Sequence, residues 1–259
     1  MSVSEARQAA IHALWDELAE LPASRPDTAL DCLLNRIAGL IDSDHGYWLC
    51  SIRLSDDAND PLLGWRARSI RFFGELPADQ QVYVATVKRL DKGIPDESTR
   101  NHVHEAGRFR ATLLVDHISE AFYEGEHYIH HYLGRGITDR LFVVMPVNQD
   151  LESYFVFDRL RGQADFTPEE LEVARYALRS LSWLNRQIHL SHGQFMAEAP
   201  LTPTERQVLK HLLAGSAEKC IADTLGQSPH TTHEYVKTLF RKFNVRSRAQ
   251  LTALWLGHD

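Results

Sequence analysis

Between Pro200 and Asp259 the chain carries eight basic residues, Arg206, Lys210, Lys219, Lys237, Arg241, Lys242, Arg246 and Arg248, against five acids, a local balance of +3. The whole chain has a net charge of −7, so residues 1–199 hold −10. Lysine and arginine at this density can neutralise phosphates, while the acidic remainder would be repelled by a polyanion. The asymmetry points to two modules with different partners.

The other residues able to do chemistry are aromatic rings and histidines in the acidic part. Tyr47, Trp48, Trp65, Phe72, Phe73, Phe122, Tyr128 and Tyr132 are candidates for the walls of a ligand pocket, although any one of them could equally serve as ordinary core. His127 and His131 stand four apart on an expected helix and so share a face. No Glu adjoins them in a zinc-protease arrangement, so neither a metal site nor a cofactor is expected. No nucleophile-elbow, phosphate-loop or dinucleotide fingerprint occurs, and the chain is not expected to be an enzyme. Cys32, Cys50 and Cys220 are odd in number and lack CxxC spacing, which fits a reducing compartment. Cys220 reads as a small apolar filler. No apolar run approaches the ~18 residues of a membrane span. The opening MSVSEARQAA is not a secretory signal, and a cytoplasmic location with no membrane partner is expected.

Elements must hold these side chains in place. Ser4–Leu21 and Thr28–Ile41 show helical spacing, the latter through Leu30, Leu33, Leu34, Ile37 and Leu40. Gly46–Leu54 and Leu63–Phe73 read as strands, Pro77–Leu90 as a helix, Leu113–Val115 as a short strand and Glu120–Leu133 as an aromatic-rich helix. Leu141–Val147 and Tyr154–Leu160 form a strand pair, and Thr167, with Pro168 and Glu170 behind it, starts a helix running through Ile188. This is an α+β sheet domain. The segment GEHYIHHYLGRGITDRLFVVMP, followed by SYFVFDR and ADFTPEELEVARYALRSL, resembles the GAF-like sensor domain attached to many LuxR-type regulators. Gly136-Ile137-Thr138-Asp139, Arg159 and Phe166-Thr167-Pro168 carry that resemblance. A phosphorylation receiver is disfavoured, because no acidic pair follows an opening apolar strand. An acyl-homoserine-lactone domain lacks its Asp-Pro-x-x-Trp stretch here.

Past the polar run His189–Leu201, the C-terminal segment reads as four short helices. Thr202, Pro203 and Glu205 open the first with a capping box, and Val208, Leu209, Leu212 and Leu213 give it an apolar face. The second, about Glu218–Leu225, turns Ile221, Ala222 and Leu225 inward. Gly226 supplies a tight turn, and Ser228 caps a third helix from Pro229, with Val236, Leu239, Phe240 and Phe243 facing the core. A fourth spans Ser247–Leu256. Helices two and three form a helix-turn-helix.

The same segment resembles the LuxR/GerE-type DNA-binding domain. Leu201, Thr202, Glu205, Val208 and Leu209 match its opening, and Gly215, Lys219, Ile221, Ala222, Leu225, Ser228, Thr231, Val236, Phe240, Lys242, Val245, Ser247 and Arg248 match the rest. The resemblance implies double-stranded DNA as partner, with His233, Glu234 and Lys237 facing bases and Lys219, Thr231, Arg241 and Lys242 on phosphates. It also implies a homodimer on a pseudo-palindromic operator and admits RNA polymerase as a partner; the fourth helix either buries Leu251 and Leu254 or offers them, with Trp255, as exposed apolar dimer contacts. Thr232-His233-Glu234 departs from the usual Val-Lys-x run, replacing a fixed charge with a mostly neutral histidine and adding an acid that repels phosphate.

The sequence thus describes residues 1–190 as an α+β GAF-like sensor of an unidentified small molecule. Residues 191–200 form a linker, and 201–259 an all-α, four-helix LuxR-type helix-turn-helix domain. Two alternatives stay open: a regulatory adaptor with weakened DNA binding that acts through protein contacts, and a haem- or metal-dependent sensor.

Overall fold

The computed structural model describes residues 3–74, 94–192 and 201–255. The chain divides into two compact units, Met1–Leu18 with Asp31–Ser182, and Ala19–Leu30 with Trp183–Asp259. The expected helix Pro77–Leu90 and most of the linker 191–200 lie outside the described residues.

The first unit is built on a five-stranded antiparallel sheet: β1 (His45–Arg53), β2 (Trp65–Gly74), β3 (Arg110–Leu113), β4 (Ile137–Asn148) and β5 (Leu151–Leu160), in the order 2-1-5-4-3. The expected α+β class is therefore present. Strands β4 and β5 are longer than the sequence reading, and only Gln149 and Asp150 lie between them, with Asp150 N donating to Asn148 Oδ1 at 2.8 Å. The expected strand Leu113–Val115 sits earlier, at β3, and a 3₁₀ turn follows at Leu114–His117. The expected aromatic helix is two short ones, since the helical hydrogen bonding stops at Gly125.

Helices α1 (Glu5–Glu20) and α2 (Pro26–Leu40) bury Ile11, Leu14 and Leu18, and Leu30, Leu33, Leu34 and Ile37, at helical spacing. Short helices α3 (Glu97–His104), α4 (Glu120–Glu124) and α5 (Glu126–His131) follow β2, and α6 (Pro168–Arg179) follows β5. The capping box opening α6 is in place, Glu170 N donating to Thr167 Oγ1 at 3.2 Å and Thr167 N to Glu170 Oε2 at 2.8 Å. The helix expected to run on to Ile188 stops at Arg179, and α7 (Ser182–Ser191) begins after one turn. Periodicity is blind to this break, because Val173, Ala177, Leu181, Leu184 and Ile188 keep apolar residues three or four apart through it, each of them buried.

The residues that suggested a sensor domain form a buried clamp. Gly136 adopts the left-handed conformation, with φ 76°. Asp139 Oδ2 accepts from Phe166 N at 2.8 Å, Arg159 donates to Glu170 at 2.5 Å, and its guanidinium lies 4.1 Å from the Phe166 ring centre. They tie the β4–β5 pair to the start of α6.

In the second unit, α8 (Pro203–Leu213), α9 (Glu218–Leu225), α10 (Pro229–Lys242) and α11 (Arg248–Trp255) are the four expected helices. Each cap read from sequence is made: Thr202 accepts from Glu205 N, Ser228 accepts from Thr231 N, and Gly226 takes φ 62° at the end of α9. Val208, Leu209, Leu212, Ile221, Val236, Leu239 and Phe243 form the core, with Tyr235 and Phe240 packed against it. Leu251, Leu254 and Trp255, expected as exposed dimer contacts, belong to this same core, at 0%, 6% and 4% exposure. The indole of Trp255 donates to the Ala23 carbonyl at 3.0 Å, so their apolar surface is satisfied within the chain.

Candidate nucleic-acid interface and ligand cavity

Helices α9 and α10, joined across Gly226, Gln227 and Ser228, present one polar surface. Lys219, Thr231, His233, Glu234, Lys237 and Arg241 are all exposed, because the apolar positions Val236, Leu239 and Phe243 fix the opposite face inward. Thr232 is fully buried and donates to Gln227 Oε1 at 3.2 Å. Two nitrogen-bearing side chains on the surface are held by carboxylates. Lys237 Nζ lies 3.0 Å from Glu234 Oε1, and His233 Nδ1 lies 2.9 Å from Glu218 Oε2. The Lys237 hydrogen bond, then its charge, keeps Glu234 below the ordinary glutamate value. Exposed pairs of this kind are weak, so a phosphate or base edge can displace either carboxylate.

Lys242 occupies a different setting from the one expected of a phosphate contact. Its ammonium donates to Glu205 Oε2 at 2.8 Å, with only 18% and 6% of the two side chains exposed. The α10 helix ends there, so its last turn packs beside the α8 capping box. Burial pushes Glu205 up, but the hydrogen bonds from Lys242 and the Thr202 N–H outweigh it, leaving the carboxyl below its usual value. Cys220 is exposed and not a core filler, since Ile221 and Ala222 take the inner face of α9. Arg248 donates to the Ser216 carbonyl oxygen and thereby ties α11 to the α8–α9 turn.

The first unit holds a cavity of about 120 Å³ against one face of its sheet. Tyr47, Trp65 and Tyr132 line it, as three of the expected aromatics. Trp48 does not: it is one residue out of phase with Tyr47, so the pleat sends it to the other face, where its indole donates to Ser153 Oγ at 2.8 Å. Phe122 and Tyr128 pack into a cluster with Ile137 and Val156, and the Tyr128 hydroxyl donates to the Thr138 carbonyl. Phe72 packs edge-on against Tyr47, 5.9 Å between ring centres, and is not among the lining residues.

Polar residues that sequence reasoning missed line the same cavity: Asp96, His102, Arg135, Arg140 and Tyr154. Arg140 carried a usable signal, a charge within the apolar strand run Ile137–Val147. Its guanidinium donates from Nε to Asp158 Oδ1 at 2.6 Å and stacks 4.6 Å from the Tyr132 ring centre. Asp158 also lies 2.9 Å from His45 Nδ1. Burial opposes ionisation of Asp158, but Arg140 and His45 outweigh it and hold the carboxyl below its ordinary value. His102 is 3% exposed and stacks on His117, 4.2 Å between ring centres. Burial first, then the charges of His117, Arg110 and Arg140, drive its imidazole well below the ordinary value and keep it neutral. His127 lies 3.4 Å from Asp96 Oδ2 and stacks on His131, with 4.6 Å between ring centres.

Residues 199–255 match the family described as bacterial regulatory proteins, luxR family. The C-terminal helices form a GerE domain. The chain is 34% identical over 66 residues to a probable HTH-type transcriptional regulator, GfsR, of Streptomyces halstedii, a match spanning 26% of this chain and 27% of that protein. It is 26% identical over 177 residues to a putative HTH-type transcriptional regulator of Aeromonas salmonicida, covering 60% of this chain and 90% of that one. The ligand-binding domain of VqsR from Pseudomonas aeruginosa is 15% identical with a TM-score of 0.48, covering 72% of this chain and 98% of that structure. Among the described residues no helix is long and apolar enough to cross a membrane.

Proposed function

We propose that this chain is a transcription regulator that binds double-stranded DNA through α10 and is controlled by a small molecule held in the sheet domain. The observation that supports this best is the surface of α9 and α10. Their apolar positions turn inward, and Lys219, Thr231, His233, Glu234, Lys237 and Arg241 form a polar face of the size and charge a major groove accepts. Lys237 donates to guanine O6 or N7, Glu234 accepts from cytosine N4, and Lys219, Thr231 and Arg241 hold phosphates. The ligand acts by binding one DNA-binding state better than the other. Homodimerisation on a pseudo-palindromic operator belongs to the same reading, through a surface other than the buried Leu251, Leu254 and Trp255. RNA polymerase is a further partner of this reading, with the cytoplasm as its setting.

Selection of binding sites from random duplexes with the purified full-length protein tests this. A recovered motif, lost in Lys237→Ala, and an affinity that falls steeply with salt are expected. No enriched motif, together with an affinity indifferent to salt, would refute it. The Glu234–Lys237 and Glu218–His233 pairs also favour a second reading, an adaptor with weakened DNA affinity. That reading requires the same selection to fail while a partner protein is retained.

A further inference from the structure

The cavity has a polarity that its aromatic walls conceal. Among the described residues, both ring nitrogens of the buried, neutral His102 lack a hydrogen-bond partner, and so does Nη2 of the buried Arg140. Leaving such groups unpaired is costly, so they are sites where a ligand's acceptor gains most. Arg135 lines the same wall and donates to the His131 carbonyl. Burial, followed by the neighbouring charge of Arg140, pushes its guanidinium down to about 10. The positive charge of Arg135 beside Arg140 in a poorly solvated wall favours an anionic ligand.

The acids nearby are already engaged. Asp158 is taken by Arg140 and His45, and Asp96 caps α3, accepting from Thr99 N at 2.9 Å and from the Thr99 hydroxyl at 2.8 Å. Arg66, also in the wall, is paired with Asp60 at 2.8 Å. The rest of the lining is mainly apolar and aromatic, with the hydroxyls of Ser51, Ser98 and Thr99 and the imidazoles of His127 and His131 among it. At about 120 Å³ the space is close to the ~150 Å³ of an apolar cavity that holds a benzene ring.

We propose that this cavity binds a small monocarboxylate bearing one aromatic ring. Its carboxylate accepts from Arg140 Nη2 and the His102 ring N–H, and its ring lies among Tyr47, Trp65 and Tyr132. This names the ligand class of the control step above and rests on that reading for its regulatory meaning, though not for the binding itself. The guanidinium charge behind the Nη2 donor, with the His102 N–H beside it, selects the carboxylate over a neutral amide of the same shape.

Calorimetric titration of the full-length protein with benzoate and phenylacetate, against benzamide and benzyl alcohol, tests it. At least one carboxylate should bind about tenfold more tightly than its neutral counterpart. His102→Phe, which keeps the stacking on His117 but cannot hydrogen-bond, should weaken carboxylate binding about tenfold. Ala67→Leu should abolish it by filling the cavity from β2 without touching a charge. Equal affinity for acid and amide, no binding of either carboxylate, or carboxylate binding untouched by both variants would overturn the proposal. Duplex binding measured on the same preparations separates the two claims. Site selection that succeeds while carboxylates fail to bind removes only the ligand assignment, and the converse removes only the DNA reading.

Discussion

Replacing Lys242 by methionine separates a structural lysine from a DNA-contacting one. The side chain reaches Glu205 at 2.8 Å beside the Thr202 capping box, and Glu205 is 5% exposed. Methionine retains most of the aliphatic stem but removes the charged donor, leaving a buried carboxylate with the Thr202 N–H, at 2.6 Å, and the Thr202 hydroxyl as neutral partners. Loss of one hydrogen bond to a charged, buried acceptor costs about 1.5–3 kcal/mol. The sign with pH follows from Glu205, whose folded value lies below the ordinary one. The contribution is full above the ordinary carboxylate range and is lost as pH falls through the folded value. The stability gap between wild type and Lys242→Met should therefore be widest near neutrality and close in acid. Urea unfolding followed by circular dichroism at several pH values measures it. In parallel, the slope of log K against log salt for a DNA duplex should stay unchanged. Had Lys242 been a phosphate contact, that slope would fall by about 0.9, or roughly 3.5-fold in relative affinity between 50 and 200 mM salt. An unaltered unfolding midpoint together with the shallower slope would refute the structural assignment.

Three other substitutions follow from the same geometry. Glu234→Gln should release Lys237 and steepen the salt dependence of non-specific DNA binding by about 0.9, while site selection shows relaxed preference at one base position. Asp158→Asn leaves Arg140 and His45 buried around a neutral amide and should cost about 3–5 kcal/mol. In wild type the Asp158 contribution is present above the ordinary carboxylate range and disappears as pH falls through the lowered folded value, which acid titration of the unfolding midpoint would trace. Gly46→Ala would place a Cβ 2.1 Å from the Val156 carbonyl oxygen and 2.6 Å from the Phe73 ring. The β1–β5 contact would have to open, at a cost of about 1–3 kcal/mol in the same unfolding assay.

Local chemistry was legible in the chain alone. Thr202, Ser228, Thr167 and Gly226 place their caps and turn where the sequence puts them, because capping depends on residues within one turn of each other. The inward stripe of α10 was legible for the same reason, and with it the outward Lys237 and Arg241. Tertiary structure decided what no spacing encodes. Whether Leu251, Leu254 and Trp255 face a partner or their own core depends on Ala23 and the α8–α10 core, and Ala23 lies more than two hundred residues away in sequence. Tyr47 and Trp48 are equally aromatic, and only the pleat within the paired sheet sends one to the cavity and the other away. The partners of Lys242 and Arg140 come from distant elements, so charge type was visible in the sequence while its use was not. The sequence determined the helix-turn-helix and its outward polar face, since those rest on short-range periodicity; the cavity, its unpaired donors and the closed apolar core arise only where remote segments meet.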